Sequence, residues 1–268
     1  MFVDSHCHLS FPELASQLPQ IRQAMADAKV DRALCICTTL EEFEDVHALA
    51  MGYDNFWASA GVHPDTENLA EPTVDTLLQL AARPRVVGIG ETGLDYYDME
   101  GRKGGRTVAD MEWQRERFRV HIRAAQRCGK PLIIHTRAAS DDTIAILKEE
   151  GEDGSAGAAG GVFHCFTETA DVARAALDLG FHISFSGILT FKNAVDLRDV
   201  AKFVPLDRML IETDSPYLAP VPYRCKTNNP SYVPYVARQI GELRGMSAEA
   251  VGEVTSRNFE TLFRGVQE

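Results

Sequence analysis

Asp4-Ser5-His6-Cys7-His8 follows directly on Met1-Phe2-Val3, so a short apolar start ends in two imidazoles two residues apart. Side chains alternate along a strand, so His6 and His8 share one face and Cys7 takes the other. The same layout recurs four times. Glu91 ends Val86-Val87-Gly88-Ile89-Gly90, His135 ends Leu132-Ile133-Ile134, His164 ends Gly161-Val162-Phe163, and Asp214 ends Met209-Leu210-Ile211-Glu212-Thr213. Each is an acid or a histidine at the downstream end of a segment that reads as a strand. Such ends converge at one mouth of a parallel barrel. Histidines and carboxylates gathered there form the donor set of a dinuclear metal centre.

Outward from these segments, strands and helices alternate. Residues 2–8, 32–38, 56–61, 86–90, 132–135, 161–164, 181–186 and 209–213 read as strands. Residues 12–29 read as a helix, with Leu14, Leu18, Ile21 and Met25 at helical spacing. Helices are also expected over 40–52, 73–82, 111–128, 142–149, 170–179 and 194–203, and a long amphipathic region covers 234–263. Gly129-Lys130-Pro131 is a stop signal for the helix before it. Eight strands in this alternation predict an α/β fold, a single-domain (β/α)8 TIM barrel over residues 1–268 with its site at the C-terminal rim of the strands. An open doubly wound sheet fits the alternation too. The strand count, with a candidate ligand on five separate strands, favours the barrel. Residues 99–110 and 150–161 read as exposed loops. The first, after Tyr97, falls on the ligand rim and could cover the site. The second, after Glu149, falls at the opposite rim and reads as a bland insertion.

The 268 residues carry a formal net charge of −12. That excludes a broad basic face for wrapping nucleic acid, but not a small anionic group held by metal ions. No run of about 18 apolar residues suggests a membrane span. The six cysteines form no C-x-x-C pair and are expected as reduced thiols. With no signal-type leader at Met1, the expected location is cytoplasmic.

A carboxylate such as Glu91 can bridge two cations through its two oxygens. His135 and His164 can supply nitrogens to a second ion. Asp214 can bind the first ion and accept a proton from water, or cap the turn at Ser215-Pro216. Glu212 shares a face with Asp214 and is suited to orienting a metal-binding histidine. His63 follows the third strand, as a substrate contact or a structural histidine. Arg137, Lys192, Arg224 and Lys226 lie beyond strand ends and are candidate phosphate holders. An imidazole-rich set suits zinc, manganese or nickel by ligand type, whereas magnesium prefers oxygen.

The chain resembles the TatD family of metal-dependent hydrolases, within the amidohydrolase-like superfamily of barrels. The resemblance rests on Asp4-Ser5-His6-Cys7-His8-Leu9, Gly61-Val62-His63-Pro64, Gly90-Glu91-Thr92-Gly93-Leu94-Asp95, Ile134-His135-Thr136-Arg137, Phe163-His164-Cys165-Phe166, Glu212-Thr213-Asp214-Ser215-Pro216-Tyr217-Leu218 and Asn258-Phe259. It implies two divalent ions (Mg, Mn or Zn), one on His6, His8 and Asp214, the other on His135 and His164, with Glu91 between them. It also implies a 3′-to-5′ exodeoxyribonuclease acting on single-stranded DNA ends with a two-metal-activated water. Asp214 and Glu91 would then be the catalytic carboxylates, and His63, Arg137 and Arg224 the substrate contacts. Glu91 stands where many superfamily relatives bridge their metals with a carboxylated lysine. The loops after Tyr97 and Glu149 are longer than is usual for the family. One alternative is hydrolysis of carboxylic ester or amide bonds, including the ester of aminoacyl-tRNA, because the same ions polarise a carbonyl. Another is a non-catalytic metal-binding scaffold, against which the cysteine-free, open donor set argues. No segment specifies an oligomeric state.

Overall fold

The computed structural model describes residues 1–266. Eight parallel strands pair in sequence order: β1 (Phe2–Cys7), β2 (Val30–Cys35), β3 (Phe56–Ala60), β4 (Val86–Asp95), β5 (Leu132–Arg137), β6 (Gly161–Phe163), β7 (His182–Phe185) and β8 (Met209–Ile211). The ring is drawn together where the chain beyond β8 meets β1. The Asp214 N–H donates to the His6 carbonyl and the His8 N–H to the Ser215 carbonyl, both at 2.9 Å. Asp4 adds a side-chain clasp. Its carboxylate accepts from the Thr213 N–H at 2.9 Å and the Thr213 hydroxyl at 2.5 Å. The expected single-domain barrel is therefore the observed one.

The helices are α1 (Pro12–Ala15), α2 (Leu18–Asp27), α3 (Phe43–Gly52), α4 (Val74–Ala81), α5 (Glu112–Cys128), α6 (Ser140–Glu149), α7 (Ala170–Asp178), α8 (Val195–Phe203), α9 (Val233–Arg244) and α10 (Ala248–Leu262). The helix expected over 12–29 is two. Pro19 lacks an N–H and fits only a first turn, so α2 starts afresh at Leu18. The region 234–263 also divides. Gly245 ends α9 in the left-handed conformation, and the Ser247 hydroxyl accepts from the Ala250 N–H to begin α10. Gly129 ends α5 as its sequence signals. Among the described residues no helix is long and apolar enough to cross a membrane.

The barrel interior is apolar at its lower end. Val3, Leu34, Trp57, Val87, Ile133, Val162 and Leu210 meet there, and Phe259 and Phe263 at the end of α10 join the same cluster. Each such side chain contributes about 1.5–3 kcal/mol by burial. The opposite faces of the strands pack against the helices. Filling the lower end with hydrocarbon leaves the upper mouth to polar groups.

Two strands depart from simple alternation, and both departures serve the mouth. In β1, Val3 belongs to the interior cluster and the Ser5 hydroxyl lies 3.2 Å from that of Ser184 on β7. Strict alternation would then send His6 to the helix side. The pairing with β2 is irregular between Asp4 and Cys7, and this bulge turns His6 inward while Cys7 packs outward. Across His6-Cys7-His8 alternation holds as expected, and the bulge decides that the face shared by the two histidines is the inner one. In β4 the strand runs on to Asp95, so Glu91 lies within it rather than at its end. Gly93, at φ 127°, makes that continuation possible, because any Cβ there would overlap the carbonyl oxygen of His135.

Residues 99–110 lie at the ligand rim as expected, but they are strapped down. Arg102 pairs with Asp65 at 3.1 Å and Arg106 with Glu67 at 2.6 Å. Lys103, only 4% exposed, pairs with Asp65 and approaches Asp95 to 3.7 Å. Residues 150–161 are not the bland insertion expected. The Glu152 carboxylate is fully buried and accepts from the Ala159 N–H at 3.0 Å, the Gly160 N–H at 2.9 Å and the Gln126 amide at 2.9 Å. A composition rich in Gly and Ala conceals this, because the organising group is one acid. Glu152→Ala leaves those donors without a partner and should lower stability by about 2–4 kcal/mol with hydrolysis unchanged. Urea denaturation checks it.

Candidate metal centre

Glu91 is the hub of the upper mouth. It is 3% exposed, and its two oxygens face different partners. Oε2 lies 3.4 Å from His6 Nε2 and 3.9 Å from His8 Nε2. Oε1 lies 2.8 Å from His164 Nε2, 3.2 Å from His135 Nδ1 and 3.4 Å from His63 Nε2. Asp214 approaches from beyond β8, with Oδ1 3.3 Å from His8 Nε2 and 3.7 Å from His6 Nε2. Its side chain thus faces the histidine pair instead of capping the following turn. Burial alone would raise the Glu91 carboxyl, but the imidazoles of His164, His63 and His6 outweigh it and hold the group well below the usual carboxylate range.

Two turns that carry candidate donors adopt unusual backbone. Cys165, next to His164, has φ 41°, and Asp214 has φ 54°. Residues other than glycine rarely take this conformation, and such positions concentrate at functional sites. The sterically costly turns are held by hydrogen bonds. The Cys165 N–H donates to Glu212 Oε1 at 2.8 Å, and the Asp214 N–H to the His6 carbonyl.

Further carboxylates set the imidazoles. Glu212 Oε1 lies 3.2 Å from His164 Nδ1, the orienting role its position on the strand suggests. Asp95 Oδ2 lies 3.1 Å from His135 Nε2. Asp95 was not among the residues singled out from the sequence, although residues 91, 93 and 95 share one face of β4 and that spacing could have found it. With their far sides held, His135 and His164 turn Nδ1 and Nε2, respectively, toward Glu91.

The donor chemistry fits divalent ions. His6 Nδ1 and Nε2, His8 Nδ1 and His164 Nε2 are buried without a hydrogen-bond partner, a costly state for nitrogens unless they serve as ligands. Among the described residues, three groups bring donor atoms within 4.8 Å of one another: His6 with His8 and Asp214; His63 with Glu91 and His135; and His6 with His164 and Glu212. The first coincides with the expected first-ion set. The expected second pair, His135 and His164, meets at Glu91 Oε1, and His63 stands with them as a direct neighbour of the same oxygen.

A cavity of about 740 Å³ opens above the cluster. His63 and Arg137 line it; Arg224 does not. The Arg137 guanidinium lies over the Tyr97 ring at 3.6 Å. Arg224 is exposed beyond the cavity wall, over the Phe191 ring at 3.5 Å. Phe11, stacked on His8 with ring centroids 4.7 Å apart, also lines the cavity, as do Arg102 and Tyr217. These three were not legible as site residues, since only the folded loops carry them to the mouth.

Glu212→Gln keeps the shape of the side chain but removes the charge behind His164. Metal affinity should fall about 10–100-fold with the fold intact. Calorimetric titration with zinc or manganese, alongside circular dichroism, checks this.

Residues 3–264 match the family model described as TatD related DNase. The chain is 45% identical over 265 residues to the Escherichia coli K12 protein named uncharacterized metal-dependent hydrolase YcfH, covering 97% of this chain and 95% of that one. It is 31% identical over 266 residues to the Escherichia fergusonii protein named 3′-5′ ssDNA/RNA exonuclease TatD, covering 97% and 98%. The crystal structure of YJJV, a TatD homologue from Escherichia coli K12, superposes with a TM-score of 0.87 at 29% identity, covering 98% of this chain and 97% of that one. The chain, with its donor cluster at the mouth of an eight-stranded barrel, belongs to the TatD family of metal-dependent hydrolases.

Proposed function

We propose that this protein removes nucleotides from the 3′ ends of single-stranded DNA by hydrolysing phosphodiester bonds. The observation that carries the reading is the division of Glu91, with one oxygen toward His6 and His8 and the other toward His135, His164 and His63. The exonuclease named among its relatives supports the choice of substrate.

In this reading His6, His8 and Asp214 would hold one divalent ion and His135 and His164 the second, with Glu91 facing both sets. Magnesium, manganese or zinc bound there would acidify water and neutralise charge on the phosphoryl group. Asp214, 16% exposed where Glu91 is sealed, accepts the proton lost by the attacking water. Glu212 and Asp95 keep the imidazoles of His164 and His135 from rotating. Arg137, spread over Tyr97 in the cavity wall, holds a non-bridging phosphate oxygen. A cavity of this form admits a strand end, and the net negative surface disfavours a wrapped duplex.

A single strand labelled at its 5′ end should shorten stepwise, releasing 5′-mononucleotides, and chelation of the metal should stop the reaction. Asp214→Asn should lower kcat by about 10²–10⁴-fold. Arg137→Ala should raise KM roughly tenfold with a smaller change in kcat. A metal-loaded protein that turns over esters or amides but no phosphoester would overturn the proposal.

A further inference from the structure

We propose that an exposed shelf beside the cavity, built from Phe191, Lys192, Tyr223, Arg224 and Lys226, binds the length of a single-stranded nucleic acid that lies outside the active site. The inference rests on the nuclease reading above and adds a second contact surface to it.

The charge pattern is the first observation. The chain has 39 acidic residues, yet none falls between Ser215 and Gly241, a stretch that holds Arg224, Lys226 and Arg238. Lys192 sits in a second acid-free stretch, from Gly187 to Val195. Across the mouth, Arg102, Lys103, Arg106, Arg115 and Arg117 are all paired with carboxylates. Among the described residues, Lys192, Arg224 and Lys226 have no such ion pair and are exposed. These three cations lie on two neighbouring loops beside the cavity, where unpaired positive charge can take an anion.

Preorganisation is the second. Arg224 is spread over Phe191 at 3.5 Å, and Lys226 lies 5.5 Å from the centre of the Tyr223 ring. Tyr223 stacks on Tyr232 with centroids 4.2 Å apart, and its hydroxyl lies 2.9 Å from that of Tyr235. The Val221 N–H donates to the Thr190 hydroxyl at 2.9 Å, joining the two segments that form the shelf. Asn228 donates to the carbonyls of Thr213 and Tyr217 at 2.9 and 2.6 Å, tying the shelf to the turn that carries Asp214. A guanidinium already held over a ring loses little freedom on binding, and guanidinium planes are stacking surfaces for bases.

Continuity with the cavity is the third. Ile188, Tyr217 and Leu218 line the cavity and belong to the same two segments as the shelf. A strand leaving the active site on this side therefore passes from the cavity wall onto the cations. Alternating positive charge and flat rings is the surface that tracks a single strand without reading its sequence.

The test is anisotropy of a fluorescein-labelled single strand of about 20 nucleotides, measured in EDTA across a salt series, for the wild type and for K192A/R224A/K226A. Each lost phosphate contact should reduce the slope of log affinity against log salt by about 0.7, so the triple variant should lose about 2 in slope and roughly tenfold in affinity at low salt. With metal restored, kcat/KM for the long strand should fall similarly while that for a dinucleotide is unchanged. An unchanged slope, no binding by the wild type, or an equal loss on the dinucleotide overturns the inference. Should neither protein cleave the long strand or the dinucleotide, the nuclease reading fails, and the binding measurement in EDTA still decides the shelf.

Discussion

One carboxylate surrounded by imidazoles is the constraint on which the molecule depends. Glu91 lies within 3.9 Å of His6, His8, His63, His135 and His164, and it is sealed from solvent. A buried charge is tolerated only when partners surround it. Those partners come from β1, from β5 and from the turns after β1, β3 and β6, so they can reach Glu91 only if the sheet closes. Closure of the barrel and assembly of the donor cluster are one event. The clasp of Asp4 on Thr213 shows the coupling, because it joins the first strand to the turn that carries Asp214.

The interior divides the labour by height. Below, Trp57, Phe259 and Phe263 help fill the ring with hydrocarbon. Above, the same strands present donors. A parallel barrel permits this because every strand ends on the same side, so polar groups can accumulate at one mouth without disturbing the packing beneath. The cost appears as local irregularity: a bulge in β1, a close approach of β4 to β5 at Gly93, and left-handed backbone at Cys165 and Asp214. Each irregularity falls beside a residue of the cluster and changes where a side chain points.

Charge is arranged on two scales. The whole chain is acidic, which keeps extended anionic surfaces away, whereas the mouth concentrates imidazoles and a few placed cations. The loops on the β3–β4 side spend their arginines on carboxylates, strapping residues 99–110 to the neighbouring loop. The loop after β8 leaves its cations open. The two sides of the mouth therefore differ, one closed by ion pairs and one with exposed cations that have no carboxylate partner.

The residue order alone determined the architecture and the hub. Eight apolar runs spaced by helical patterns fit a barrel or an open doubly wound sheet, and an acid or histidine near the downstream end of five of them favours the barrel with a shared site, because barrel strand ends converge. The orienting role of Glu212 was likewise legible, since Asp214 lies two residues on. Folding alone decided the rest. The bulge that turns His6 inward is a pairing irregularity with no signature in residue types. Arg102, Tyr217 and Phe11 join the site through loop paths, which a spacing rule does not encode, whereas Asp95 follows from its spacing to Glu91 along β4. Arg224, a candidate phosphate holder by position, was carried outside the cavity because its loop folds back onto Phe191. Periodicity carries information about which residues share an element, whereas the meeting of side chains across loops depends on distances that exist only once the chain has closed on itself.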